Sequence, residues 1–206
     1  MGFIDLVERR DGVTIPRLVV EAGASNGTTN SNSRMLIEQG WRAILIEPHP
    51  ETYPTLAQLH HGNAKVHTVN MGLSDYPGPA TTSLYLASEP GHSSLLPVAG
   101  ARAVTVKTNN LCNIVMASPQ YHGGIGILSL DIEGLEMKVL PDVLDLAPCI
   151  LILEANTAGD RQAQRFLLRS GAVQYEEIAC NSVNSIYYRA DLINWDRRYA
   201  LKWKCK

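Results

Sequence analysis

Short apolar segments alternate with helical segments along this 206-residue chain, and this alternation constrains the fold more than any other feature. Continuous apolar runs are typical of strands that are covered on both faces. Their alternation with helices predicts an α/β fold with a mainly parallel sheet. The clearest runs, each ending at or just before a carboxylic acid, are 17–21, 42–46, 126–131 and 149–154.

The length predicts one domain over residues 1–206, with 1–16 as an N-terminal flank. Residues 76–104 are rich in proline and glycine and surround a short alternating run, so we interpret them as an inserted hairpin or lid. Two closing strands, about 173–178 and 185–189, follow each other without a helix and predict a terminal hairpin. The helix before them is expected to bury Ala163, Phe166 and Leu167.

Composition excludes several classes of protein. A net charge of −2 argues against a broad electrostatic nucleic-acid binder, and no apolar run approaches the ~20 residues that span a bilayer. No signal peptide is recognisable, so we expect a cytoplasmic protein without membrane partners. The cysteines have no metal-ligand spacing and are predicted to be buried or free thiols in a reducing compartment; they are Cys112, Cys149, Cys180 and Cys205.

Carboxylic acids mark the ends of the predicted strands. Ligands of open α/β sheets bind along the edge formed by the strand C-termini. Solubility alone does not explain five acids on that edge, namely Glu21, Glu47, Asp75, Asp131 and Glu154.

The loop after the first strand, Glu21-x-Gly23-x-x-x-Gly27, indicates the kind of ligand. It lacks the GxGxxG spacing that places a pyrophosphate on a helix N-terminus, and Glu21 would repel a pyrophosphate. A cationic ligand without phosphate, such as S-adenosylmethionine, fits better. Glu47, at the end of the second strand, is placed to bind ribose hydroxyls. The alternative is a tight turn that binds no ligand.

The segment Val19–Gly27 resembles motif I of class I S-adenosylmethionine-dependent methyltransferases. More specifically, the chain resembles the FkbM family over about residues 18–192. The matching segments, in order, are 19–27, Ser31-Asn32-Ser33, Gly40-Trp41-Arg42, Ile46-Glu47-Pro48-His49-Pro50, 70–75, Ser93-Ser94-Leu95, 129–136 and 184–189. Departures from the family pattern are Glu21 for Asp, Ser25 for Asn, Asn26 for Asp and Ser129 for Lys.

The resemblance implies a Rossmann-like fold with a mainly parallel seven-stranded sheet, order 3-2-1-4-5-7-6, strand 7 antiparallel and helices on both faces. It implies methyl transfer from S-adenosylmethionine to a hydroxyl of a sugar, polyketide-like or other small-molecule acceptor, leaving S-adenosylhomocysteine. The cofactor-binding residues it implies are Glu21, Gly23, Ala24, Asn26, Gly27, Asn32, Glu47, Pro48, Ser74, Asp75 and Asp131.

An alcohol must lose its proton as the new bond forms. We assign this catalytic role to Asp131 and Glu133, which follow the central strand. These acids have a structural interpretation as well. Asp131 then caps the turn into the next helix, and Glu133 is an acid in the first turn of that helix, where the helix dipole favours it. Glu136 fits the same first-turn role. The residues expected to contact the acceptor are His92, Ser93, Ser94 and Glu154.

No set of histidines and acids has a metal-ligand spacing, so we predict no metal site. A magnesium ion bound through Asp131 is the alternative. Two other functions remain open. An NAD(P)-dependent oxidoreductase shares the alternation but would need GxGxxG and a Tyr-x-x-x-Lys pair. A non-catalytic binding module with the same fold is consistent with the substitutions at Ser25, Asn26 and Ser129.

Overall fold

The computed structural model describes residues 12–87, 92–155 and 157–192. Ten strands are found in these residues: β1 (Leu18–Ala22), β2 (Arg42–Ile46), β3 (Val66–Val69), β4 (Gly72–Leu73), β5 (Ala80–Leu86), β6 (Arg102–Asn109), β7 (Ile127–Leu130), β8 (Ile150–Glu154), β9 (Tyr175–Cys180) and β10 (Asn184–Arg189).

Seven of these strands form one sheet in the order β3-β2-β1-β7-β8-β10-β9. The pairs from β3 through β8 are parallel, whereas β10 is antiparallel to both β8 and β9. When only these seven strands are counted, the order is 3-2-1-4-5-7-6 with the seventh strand antiparallel. The predicted fold class is therefore confirmed, with three additional strands outside the main sheet.

Five helices accompany the strands in the described ranges: α1 (Arg34–Glu38), α2 (Tyr53–Leu59), α3 (Leu111–Ala117), α4 (Glu136–Leu146) and α5 (Ala158–Ser170). Two of these helices contain a proline. Pro54 lies in the first turn of α2, where its missing N–H costs no hydrogen bond, and α4 continues through Pro141 without being divided. None of these helices is long and apolar enough to cross a membrane.

The sheet has an apolar core on each face because successive side chains of a strand point in opposite directions. In β1, Val20 packs in one cluster with Leu128, and Val19 packs in the other with Trp41. All five residues of β1 are buried. This double coverage explains why the strand reads as a continuous apolar run.

The segment interpreted as an insertion contributes β5 and the first residues of β6 to a second, three-stranded sheet. β5 and β6 form an antiparallel pair, and the short β4 lies parallel to β6. Ser94 forms an isolated bridge with Tyr85 of β5, and its hydroxyl donates to the carbonyl of Glu133, beyond the end of β7, at 2.8 Å. The second sheet is therefore anchored near the C-terminal ends of the main strands.

The prediction of the buried face of α5 is wrong. Ala163 and Leu167 are exposed, and Phe166 is 71% exposed. The face that packs on the sheet carries Gln164 and Leu168 instead. Gln164 donates from its side-chain amide to the carbonyl of Glu154, at the end of β8. This contact needs a buried glutamine, whereas an amphipathic sequence pattern predicts apolar residues on the buried face of a helix.

The cysteine prediction holds for two residues and is wrong for a third. Cys112 and Cys149 are free thiols, and burial raises the pKa of each. Cys180, at the end of β9, is disulfide-bonded. Cys205 lies outside the described residues. Disulfide formation depends on proximity in space, which cysteine spacing along this chain did not indicate.

Candidate functional site: two cavities at the strand ends

The glycine loop after β1 packs directly on the end of β7. Gly23 has φ +82°, a conformation that favours glycine. A Cβ atom at this position would lie 1.8 Å from the carbonyl oxygen of Asp131. The amide of Gly23 also donates to the carbonyl of Ile46, at the end of β2. The loop thus joins the ends of three neighbouring strands, and only glycine fits where it does so.

Glu21, the acid at the end of β1, is turned into the following loop. Its carboxylate is 3% exposed and accepts hydrogen bonds from the Asn32 amide at 2.6 Å, from the Ser31 hydroxyl at 2.9 Å and from the Ser33 hydroxyl. Burial raises the pKa of Glu21, although these hydrogen bonds oppose the shift. The carboxylate therefore organises the loop and does not border either cavity described below.

Glu47, the acid after β2, borders a cavity. One carboxylate oxygen accepts the Ser25 amide at 2.8 Å, and the other accepts the His49 amide at 2.7 Å. Burial raises the pKa of Glu47, against the effect of these two amides. A carboxylate has about four lone-pair sites, so each oxygen retains capacity to accept a hydroxyl.

The cavity beside Glu47, which we call the slot, is narrow and largely apolar. Its volume is about 40 Å³. Met71 and Leu73 form one side, and Leu95, from the second sheet's connecting segment, closes over it. A Cβ atom on Gly72, in β4 of the second sheet, would be 2.8 Å from the Leu95 side chain, which shows how closely Leu95 packs on that strand.

A second cavity, which we call the polar cleft, has a volume of about 610 Å³. Carboxylates of Glu51, Asp131, Glu133 and Glu154 line it together with hydroxyl and amide side chains. Within the part of the chain that the structure describes, neither lysine nor arginine lines this cleft. The slot and the polar cleft share four lining residues, which are Gly23, Ser25, Asp131 and Glu133.

Two carboxyl side chains meet where the cavities join. Asp131 follows β7, Glu154 ends β8, and carboxylate oxygens of the two lie within 4.8 Å of each other. Burial, with the Glu154 charge as the next contribution, raises the pKa of Asp131 to about 6. Such a carboxyl is available as a base at neutral pH and is more basic than an ordinary aspartate.

Glu133 is held from two sides beside this pair. His92 Nδ1 lies 3.3 Å from its Oε1, and Ser94 donates to its carbonyl. Its pKa is raised by burial first and then by the charge of Asp131, while His92 lowers it. Glu133 has φ +56°, which is uncommon for a residue with a side chain. Such local strain is often found at functional sites.

Glu136 has a structural role, as its sequence position allowed. Its Oε1 accepts the Ile132 amide at 2.9 Å and the Gly134 amide at 3.4 Å. It thereby closes the turn between β7 and α4.

The carboxyl groups of Asp131, Glu133 and Glu154 offer oxygen atoms within 4.8 Å of one another, close enough for one cation.

The structure brings together much of the predicted site. Of the predicted residues, those lining the slot or the polar cleft are Gly23, Ala24, Asn26, Glu47, Pro48, His92, Ser93, Asp131, Glu133 and Glu154. Those lining neither cavity are Glu21, Gly27, Asn32, Ser74, Asp75 and Ser94. Asp75 is exposed in the turn after β4, away from both cavities.

Some lining residues were missed from the sequence. Ser25 borders both cavities, and its position inside the glycine loop was a usable signal. Met71, Leu95 and Leu135 line the slot. Nothing in their local sequence distinguishes them from core residues, because an apolar cavity wall and an apolar core have the same composition.

The sheet order and the glycine loop at its strand ends define a class I methyltransferase fold. The "METTL16 MTase domain" is similar in structure, with a TM-score of 0.51 and 12% identity over 91% of this chain and 65% of that one. A methyltransferase from Geobacter sulfurreducens has a TM-score of 0.47 and 13% identity over 90% of this chain and 76% of that one. This chain thus spans slightly less than two thirds of the METTL16 domain's length.

A model described as the methyltransferase FkbM domain matches residues 21–179. The chain belongs to the FkbM methyltransferase domain family, as its motifs predicted. No curated protein matches the chain significantly in sequence.

Proposed function

We propose that this protein transfers a methyl group from S-adenosylmethionine to a hydroxyl of a small polar acceptor. The observation that carries the proposal is the junction of the slot and the polar cleft at Gly23, Ser25, Asp131 and Glu133. Two ligands that react with each other need two adjoining cavities with a base at the boundary.

The residues around the slot fit the nucleoside part of the cofactor. Glu47 would accept the ribose hydroxyls with the lone pairs that the Ser25 and His49 amides leave open. Met71 and Leu95 supply apolar surface for a base ring. When bound, S-adenosylmethionine supplies an electrophilic methyl group on a sulfonium. A slot of about 40 Å³ must widen for a nucleoside, so the segment carrying Leu95 acts as a lid.

Asp131 is the base in this proposal, and Glu133 assists it. The Asp131 carboxylate would accept the proton that the acceptor hydroxyl loses when its oxygen takes the methyl group and S-adenosylhomocysteine is left. A pKa of about 6 leaves this carboxylate ionised at neutral pH and still basic enough to take a proton. His92 holds Glu133 in place through its ring nitrogen.

The lining of the polar cleft favours a polyhydroxylated acceptor over a flat apolar one. Thr52 and Thr55, at the start of α2, present hydroxyls, and the loop after β1 adds the Ser31 hydroxyl and the Asn26 side-chain amide. A sugar-like acceptor satisfies such groups, whereas an apolar polyketide would leave them unpaired at a cost in binding. The binding module and the oxidoreductase remain the alternatives that the experiment must exclude.

Calorimetry with S-adenosylhomocysteine tests the cofactor. We expect micromolar binding by the folded protein and at least about tenfold weaker binding by Glu47→Gln, since one ribose acceptor becomes an amide. Glu38→Gln, an exposed acid on α1, is the matched control and should bind as the unchanged protein does. Folded protein that releases no heat with S-adenosylhomocysteine but is stabilised by NAD(P) would replace this proposal with the oxidoreductase.

Methyl transfer to a panel of polyols, followed by mass spectrometry, tests the reaction. Parallel assays with EDTA and with added magnesium decide whether the three cleft carboxylates use a cation. Binding of S-adenosylhomocysteine without transfer to any hydroxyl compound would favour the binding module. A cytoplasmic location stays a prediction that the Cys180 disulfide does not favour, because disulfides are rare in reducing compartments.

A further inference from the structure

Residues 28–33 of the loop between β1 and α1 are polar and have little apolar packing to hold them. The side chains of Thr28, Thr29 and Asn30 are exposed, and Asn30 has φ +56°. Yet the same loop forms one wall of the polar cleft through Thr29, Asn30 and Ser31. A wall without apolar anchors must take its position from hydrogen bonds.

Two sets of hydrogen bonds attach residues 31–33 of this loop to the sheet. The first is the Glu21 carboxylate, which accepts the backbone amide of Asn32 and the hydroxyls of Ser31 and Ser33. The second is the side chain of Asn32, which donates to the hydroxyl of Ser129 at 3.0 Å. Asn32 is therefore attached to β1 by its backbone and to β7 by its side chain.

Ser129 connects this contact to the proposed base. It is 1% exposed, pairs with Glu21 across the β1–β7 register and precedes Asp131 by two residues on the same strand end. A buried hydrogen bond between a loop and the strand that carries Asp131 fixes their relative position. Neither residue lines a cavity, so neither is expected to touch a ligand.

We propose that Asn32 and Ser129 are positioning residues, whose hydrogen bond sets the loop wall of the polar cleft relative to Asp131. The loop wall follows the glycine turn, whose residues Gly23 and Ser25 border both the slot and the polar cleft. This inference rests on the proposed function for its ligand, but the contact itself is a property of the free protein.

The test uses Ser129→Ala with Ser185→Ala as a matched control. Ser185 is also fully buried on the main sheet and accepts a cross-element hydrogen bond, from Arg161 at 3.0 Å, but it lies on β10 and lines neither cavity. Both variants should lower the melting temperature. Only Ser129→Ala should weaken S-adenosylhomocysteine binding, by about tenfold, because the Asn32 amide loses its buried acceptor.

Asn32→Ala and the double variant complete the cycle. If the two residues act through their shared hydrogen bond, the double variant binds no more weakly than Asn32→Ala alone. Weakening by the product of the two single effects, or equal weakening by Ser129→Ala and Ser185→Ala, would overturn the proposal. Asn32 is only half-buried, so Asn32→Ala is expected to fold even if Ser129→Ala does not, and it removes the same hydrogen bond.

Hydrogen exchange separates this inference from the proposed function. The Asn32 backbone amide, bonded to Glu21, should lose protection in Ser129→Ala and keep it in Ser185→Ala. This result requires no ligand. If the Asn32 amide stays protected in Ser129→Ala, the positioning role is overturned. If the protein without substitutions does not bind S-adenosylhomocysteine, the proposed function is overturned, and hydrogen exchange still decides the positioning role.

Discussion

Carboxylate oxygens of Asp131 and Glu154 lie within 4.8 Å of each other at the C-terminal ends of adjacent parallel strands. The register pairs Leu130 with Leu153, so the two acids follow directly side by side. Two carboxylates this close repel each other, which favours a bound proton on the pair. This arrangement makes the polar cleft sensitive to pH where ordinary carboxylates are not.

Methyl transfer should depend on the ionisation of Asp131. We expect the rate to rise with pH through about 6, the pKa of Asp131, and then to level off, because the protonated carboxyl cannot accept the alcohol proton. Glu154→Gln removes a neighbouring charge, so its profile should shift to lower pH. A pH–rate profile of each protein checks this. Glu38→Gln should leave the profile in place, and an unmoved profile in Glu154→Gln would contradict the prediction.

The same pair should limit stability at alkaline pH. The pKa of Asp131 is raised in the folded protein from 3.8 to about 6. The contribution of this group to stability is therefore complete below 3.8 and is lost as pH rises through about 6. Glu154→Gln replaces a repelling charge with an amide donor, so the melting temperature should rise by roughly 2–4 °C at pH 8, with little change at pH 4. A gain of equal size at both pH values would exclude this explanation.

Neutralising the proposed base should separate catalysis from cofactor binding. Asp131→Asn should lower kcat by about 10²–10⁴-fold, and Glu133→Gln should lower it by less. S-adenosylhomocysteine affinity should change by no more than about twofold, because the side chain is replaced by a near-isostere. Steady-state kinetics with calorimetry provide both values. Full activity in Asp131→Asn would assign this aspartate the structural role.

Comparing two glycines with the same backbone conformation separates the cost of a positive φ from the cost of the close contact between the glycine loop and Asp131. Gly23 and Gly62 have φ +82° and +80°, but only Gly23 has a neighbour within reach of a Cβ atom. Gly62→Ala should cost about 1 kcal/mol of unfolding free energy. Gly23→Ala must also displace the Asp131 carbonyl, so it should cost at least about 3 kcal/mol or prevent folding. Equal costs in urea unfolding would show that the loop moves freely.

Ser25 occupies a backbone conformation that suits asparagine better. Its φ is +48°, and its amide donates to Glu47. Asparagine tolerates this region, whereas valine is disfavoured there. Ser25→Asn should therefore raise the melting temperature by roughly 1–3 °C and Ser25→Val should lower it by a similar amount or more. Thermal melts check this, and equal melting temperatures for the two variants would refute the explanation.

Local sequence determined much of the candidate site. Glu47, Asp131 and Glu154 follow apolar strands, and parallel strands place such residues on one edge, where the structure has them. The loop that begins at Gly23 could be predicted from its glycines, because a glycine permits the close approach to Asp131. Glu21 and Asp75 were expected on the same edge, yet the first turns into a loop and the second is exposed.

The alternation of apolar runs determined the α/β class and the central strands, because the residue types along the chain reflect how deeply each strand is buried. The strand order followed from the family resemblance. Tertiary structure alone decided which partners each polar group found. Gln164, not Phe166, faces the sheet because a carbonyl of β8 needs a donor there. The carboxyl groups of Asp131 and Glu154 come within 4.8 Å of each other, and Asn32 reaches Ser129, ninety-seven residues away in sequence. Such contacts depend on distances across the fold, and no local pattern encodes those distances.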